Sequence, residues 1–334
     1  MPPDTISLPA VSGPPAELLS RDTAVWDSLT WERSVQQHMD SLELIYYRDL
    51  QAEQPRQPGN EGLMFLFLFV VIALSAYFYI VHPDLKRRRA NRVRTPRDPK
   101  EKAAADQRYD QWLSQYNPYY NALPGEHKKR FLERVHAFMD AKQFCFHAMV
   151  KEDYIPVLIS GAAIQLTYGL RNYLMDYFDV IHIMRKEYVL NIDRETYYGH
   201  VSKNGIHISW SRFLEGYQDY TDAINVGIHE MAHALQFDSS LGNEDDHDRH
   251  FKARLQEFSE EGRPVFRAMR QGMSHLLDDY ASLNFDEFWA VSVETFFENP
   301  VEFREKLPHL YQELCTLLNQ DPAEPGKILD PSLA

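Results

Sequence analysis

Apolar residues are spread unevenly along the 334-residue chain. From Leu63 to Val81 the sequence LMFLFLFVVIALSAYFYIV runs 19 residues without a charge. A helix of that length spans about 28 Å, close to the thickness of a bilayer core. Tyr77 and Tyr79 stand near one end, where interfacial aromatics belong. The pattern predicts a single transmembrane helix over residues 63–82. It is no signal peptide, because it starts late, lacks a basic leader and runs directly into charge. Ahead of it, MPPDTISLPAVSGPP is proline-rich and reads as disordered. Residues 22–52 contain Trp26, Leu29, Trp31, Val35, Met39, Leu42 and Ile45, whose spacings mix three and four, the period of an amphipathic helix. A polar linker, residues 51–62, completes an N-terminal tail of residues 1–62.

Beyond a basic linker, residues 83–106, a domain over residues 107–334 is expected. LPGEHKKRFLERVHAFMDAKQF sets Phe131, Val135 and Phe138 at helical spacing, and further helical pattern runs through 155–176. DVIHIM and NGIHISW alternate as short strands, the second entered by an Asn204-Gly205 turn. Helical patterns dominate from residue 220 onward. The fold class is therefore α+β, mainly helical with a small sheet, preceded by the transmembrane helix.

Charge refines this picture. The net charge of −14 argues against nucleic acid as a partner, since phosphate binding needs a basic surface. The two cysteines, Cys145 and Cys315, build neither a disulfide framework nor a cysteine zinc site. Lysine and arginine crowd the segment Asp84–Lys102, whereas the tail before the span carries only Arg21, Arg33, Arg48 and Arg56. The positive-inside rule then puts the domain on the cytoplasmic side of a cytoplasmic (inner) membrane, single-pass.

The chemistry lies in HEMAH, residues 229–233. Ile224, Ile228, Met231 and Leu235 form one apolar helical stripe, with Thr221 or Asp222 to cap its start. His229 and His233 project from the other side, four apart, so both can reach one ion. Glu230 is turned roughly 100° from His229, where a general base for an attacking water belongs. A catalytic zinc takes three protein ligands and keeps one position open. Gln236 and Ser239 stand where a metzincin has glycine and histidine, so a carboxylate must complete the set. The polar run Asn243–His250 reads as a solvated loop, although His247 or His250 would close a purely structural zinc site. The better source is Asp278–Pro300. Glu287 and Glu294 share a small-residue face of one helix there, while Phe285, Trp289 and Phe296 lie opposite. By spacing alone, Glu287 is equally a metal ligand or part of a capping box with Asn284.

HEMAH followed by DYASLNFDEFWAVSVETFF resembles the Mlc titration factor A family of gluzincin-like zinc peptidases, as do LPGEHKKRFLERVHAFMDAKQF and NGIHISWSRF. The likeness covers roughly residues 107–320. It implies a zincin-like domain in which His229, His233 and Glu287 hold Zn2+, Glu230 is the base and Tyr280 steadies the oxyanion. Glu294 matches a further family glutamate that would orient a ligand histidine. Gln236 departs from an aspartate that family members often carry, with Asp238 as its candidate replacement. The expected function is a membrane-anchored zinc peptidase, extending to an aminopeptidase, that acts on a peptide or protein substrate. The alternative is a membrane-tethered protein that sequesters a transcriptional repressor without cutting it. An extended substrate would pair with the strand around Ile206–Trp210.

Overall fold

The computed structural model describes residues 61–76, 95–96, 98–189, 196–218, 220, 223–241, 246–273 and 276–334. The expected tail, most of the basic linker and the end of the expected span lie outside them. The chain separates into two compact units, residues 1–75 and 76–334. In the first, helix α1 (Glu61–Ala76) follows the apolar run and leaves Phe65–Leu74 exposed. Residues 77–82 of the expected span lie outside the described residues. Among the described residues no helix is long and apolar enough to cross a membrane.

The second unit opens with α2 (Pro99–Tyr116), whose first turn is capped by Asp98 through Lys100 N at 2.9 Å and Glu101 N at 3.3 Å. The helical domain thus begins inside the stretch expected to be linker. Proline at N1 and an acidic cap outweigh the basic composition. There follow α3 (Pro118–Ala122), α4 (Gly125–Ala141), β1 (Gln143–His147) and α5 (Tyr154–Thr167). Helix α5, IPVLISGAAIQL, is apolar on all sides and buried on all sides, and it forms the centre of the helical layer. It stops at Thr167 rather than running to 176. A Cβ on Gly169 would lie 2.3 Å from Leu318 O, so the chain turns there in a passage that admits no side chain.

The sheet consists of β1, β2 (Val180–Met184), β6 (Gly205–Ser209) and β5 (Gly199–Ser202), in that order. The first three run parallel, and β5 pairs antiparallel with β6 at the edge. Strands β3 (Tyr188–Val189) and β4 (Thr196–Tyr197) form a separate two-stranded ribbon. Both expected strands are present. The hairpin loop is Lys203-Asn204, however, and Gly205 enters the strand with φ of +136°, a region that only glycine visits freely. Ile181, Ile183, Ile206 and Ile208 turn one face of the sheet into the core. Helices α6 (Trp210–Gln218), α7 (Val226–Leu241), α8 (Asp246–Arg270), α9 (Phe285–Glu298), α10 (Pro300–Lys306) and α11 (Pro308–Leu318) complete the unit. A single 3-10 turn, Asp279–Ser282, precedes α9. The domain is mainly helical with a small sheet, as expected.

Candidate metal centre

HEMAH lies on α7, whose start is capped by Asn225: Ile228 N donates to its Oδ1 at 3.1 Å. Thr221 and Asp222, the expected caps, lie outside the described residues. Ile224 precedes the helix and is 55% exposed, so it is not part of the buried stripe formed by Ile228, Met231 and Leu235. Helix α9 crosses α7, and Trp289 Nε1 donates to Ala232 O at 2.9 Å, in the middle of the motif. Asn284 caps α9 by accepting from Glu287 N at 2.9 Å. The cap expected of Asn284 is therefore present. The Glu287 backbone is the capped position, and its carboxylate turns toward the histidines.

Three ligand atoms converge. His229 Nε2 and His233 Nε2 are 3.0 Å apart, and Glu287 Oε2 lies 3.0 Å from the first and 3.4 Å from the second. Ligand atoms around a tetrahedral ion at 2.0–2.1 Å are separated by about 3.3 Å, so the triangle fits zinc. Glu287 Oε2 is also buried without an aligned hydrogen bond. A buried carboxylate oxygen aimed at two imidazole nitrogens is costly unless a cation shares the space. Among the described residues this is the one cluster of at least three such groups with metal-binding geometry. Burial by itself would raise the Glu287 carboxyl, but its contacts with His229 and His233 outweigh that and hold it near 2. Burial would lower His229, yet the Glu294 charge and the contacts with Glu287 and Glu294 raise it well above the usual imidazole value.

Glu294 is 5% exposed. Its Oε1 accepts from Asn225 N at 3.0 Å, and its Oε2 stands 3.4 Å from His229 Nδ1. The carboxylate thus ties the capped start of α7 to the His229 ring. Glu230 points into the same cleft, and its Oε2 is buried without a hydrogen-bond partner. Burial, against the pull of His229, raises its carboxyl to about 8. Tyr280, on the 3-10 turn, is half exposed with its ring 6.1 Å from that of His229.

The cleft, about 470 Å³, is lined by these side chains and by Tyr197, Gly199, His200 and Val201 from the ribbon and the sheet edge. Sequence reasoning missed Gly199 and His200. An ideal Cβ on Gly199 would lie 2.4 Å from Glu230 Oε1, so that glycine makes room for the carboxylate. Strand β6, expected to pair with substrate, is flanked on both sides by β2 and β5. The edge facing the cleft is β5. Gln236 Nε2 donates to Asp286 Oδ1 at 2.9 Å, bridging α7 and α9 at the cleft wall. Asp238 is turned elsewhere and accepts from Tyr177 N at 2.8 Å, so it does not take over the place of Gln236. His250 lines a different cavity, beside Leu235 and Phe251, and the side chain of His247 lies outside the described residues.

Two imidazoles, a carboxylate and a second, buried carboxylate around one open cleft define the class: a metallopeptidase. The chain belongs to the family described as glucose-regulated metallo-peptidase M90, whose model matches residues 86–318, and this is the family that the motifs resemble. Membership implies a metal ion, typically zinc, and peptide or protein substrates. The chain is also similar to an uncharacterized protein of Synechocystis sp., with 24% identity over 218 residues, covering 59% of this chain and 78% of that protein.

Proposed function

We propose that the protein hydrolyses peptide bonds with a zinc ion held by His229, His233 and Glu287. The observation that carries this reading is the triangle of ligand atoms at 3.0, 3.0 and 3.4 Å beside the buried Glu230 carboxylate. When bound, zinc supplies a Lewis acid for the scissile carbonyl and acidifies water. Glu230 takes a proton from the attacking water and passes it to the leaving amine. Burial favours that role, because it lifts the carboxyl above the usual carboxylate range and so makes the ionised form a stronger base than an exposed one. The Tyr280 hydroxyl donates to the developing oxyanion from the outer wall of the cleft. Glu294 keeps His229 in the ligating orientation. An extended substrate pairs along β5, the sheet edge that borders the cleft.

The decisive test is Glu230→Gln in the full chain. Peptide hydrolysis should fall by about 10²–10⁴-fold while the bound zinc stays at the wild-type level. Glu287→Ala should lose the zinc and the activity together. Unchanged turnover in Glu230→Gln would remove the assignment.

We also propose that residues 63–82 anchor the chain in the cytoplasmic membrane with the peptidase domain on the cytoplasmic side. Support comes from the uncharged run and the basic residues that follow it. The full chain should stay with membranes through an alkaline carbonate wash, and a chain starting at residue 95 should not. Release of the full chain by that wash would exclude an integral anchor.

A further inference from the structure

The face of the sheet opposite the core carries one histidine on each strand, running from His200 at the cleft wall to His147 at the far edge. His182 (β2), His207 (β6) and His200 (β5) lie in register, and His147 (β1) stands diagonally beside His182, two residues on from its partner Cys145, with Ile181, Ile183, Ile206 and Ile208 on the opposite, buried face. The rings of His182 and His207 stack at 4.4 Å and 18°, and those of His207 and His200 at 4.0 Å and 12°. At the outer end His147 Nε2 faces His182 Nδ1 at 2.9 Å. That nearly matches the 3.0 Å between the paired nitrogens of His229 and His233.

The hydrogen bonds behind the row select the tautomer. His182 Nε2 faces Asn204 O at 3.4 Å, and a carbonyl accepts only from an N–H. The proton therefore sits on Nε2, and the Nδ1 lone pair is presented to His147. A backbone carbonyl on the far nitrogen is how ligating histidines are commonly held. His207 Nδ1 faces Gly205 O at 3.2 Å in the same way. Burial, aided by the neighbouring histidines, lowers His182 and brings His207 down to about 3. Both shifts favour neutral rings at His182 and His207, and neutral imidazole is the ligating form. Stacking on His207 fixes the ring of His182, so one half of a chelate is ordered before any ion arrives. His147 is exposed at the end of β1, which leaves an ion room to enter.

We propose that His147 and His182 form a second transition-metal site on the outer face of the sheet, taking an imidazole-preferring divalent ion such as Zn2+, Ni2+ or Cu2+ with water in the remaining positions. In the metal-free protein His147 Nε2–H donates to His182 Nδ1, and on binding that proton moves to the solvent-facing Nδ1 of His147 as the ion takes its place. With two protein ligands instead of three, this site binds more weakly than the one in the cleft.

The test is calorimetric titration of Zn2+ into the chelator-stripped full chain, free of any histidine tag. The wild type should show two classes of site, one ion each. His147→Ala should lose the weaker class alone, and at limiting Zn2+ it should hydrolyse peptide at the wild-type rate, which also reports that it is folded. His182→Ala should behave alike in binding. His229→Gln should lose the tighter class and keep the weaker, so the outcome here is independent of the assignment of the cleft. A weaker class that survives in His147→Ala, or a wild type whose zinc binding is abolished entirely by His229→Gln, would overturn the proposal.

Discussion

At Gly199 an added methyl group would stand 2.4 Å from Glu230 Oε1 and 2.6 Å from its Cδ. No real Cβ sits that close to a carboxylate, so in Gly199→Ala either the strand or Glu230 has to move. The glutamate side is the softer of the two, because β5 is held to β6 along its whole length. A displacement of about 1 Å in a proton-transferring group can cost roughly 100-fold in rate. Gly199→Ala should therefore lower kcat by about that factor, with bound zinc and melting temperature close to wild type. Steady-state kinetics beside metal analysis would show it, and a variant with full kcat would mean that Glu230 does not need its present position. His229, Glu230 and His233 were legible in the sequence because helical spacing alone brings them together. Glu287 was legible only as a cap or a ligand, since its main chain meets the Asn284 cap while its side chain faces the two histidines. Gly199 and His200 carried no local signal. They reach the cleft through the pairing of two strands, and nothing in a two-residue neighbourhood announces that.

Among the elements, α7 and α9 decide the geometry, and their joint is Asn225. Its side chain caps α7, its backbone N–H donates to Glu294, and its Nδ2 donates to Glu298 Oε1 at 2.9 Å. Replacing it by alanine removes a cap and a hydrogen bond to a buried carboxylate. Asn225→Ala should cost about 2–3 kcal/mol, read as a lower urea midpoint with an unchanged slope. A loss within ordinary surface scatter, about 0.5 kcal/mol, would show that α7 is held by packing alone. The expected helix over 123–144 is α4, but it ends at Ala141, and Gln143–His147 becomes β1. Helical periodicity runs on past the true end because Phe138 and Phe144 both face the core. Strands this short bury too few residues to display an alternation of their own. The strands β2 and β6 were legible because VIHIM and GIHIS alternate isoleucine with histidine, and the sheet has one dry and one wet face.

The whole domain depends on how the helical layer is fastened to the sheet, and Lys142 sits at that junction, between the end of α4 and the start of β1. It is 1% exposed, and its Nζ donates to Met175 O at 2.8 Å and Phe178 O at 2.5 Å, on the segment that leads into β2. Topology of this kind could not be read from the sequence, where the same lysine looks like a solvated helix end. Burial depresses its ammonium from 10.5 to about 8, against the weaker attraction of Asp176, Asp238 and Asp179. Below the lower value the lysine is charged in both folded and unfolded chains, and its contribution does not vary with pH. Between the two values the unfolded chain holds the proton and the folded chain does not, so stability from this group rises with pH. Above the higher value both forms are neutral and the contribution levels off. Lys142→Met removes both the hydrogen bonds and the titration. It should be less stable than the wild type throughout, because two buried carbonyls lose a donor. The gap should widen steadily as pH climbs from about 8 to 10.5. Urea unfolding of the two proteins in parallel across that window cancels the titration of every other group they share. A gap that stays constant, or narrows, would place the lysine nitrogen in contact with water and remove it from the fastening of the sheet.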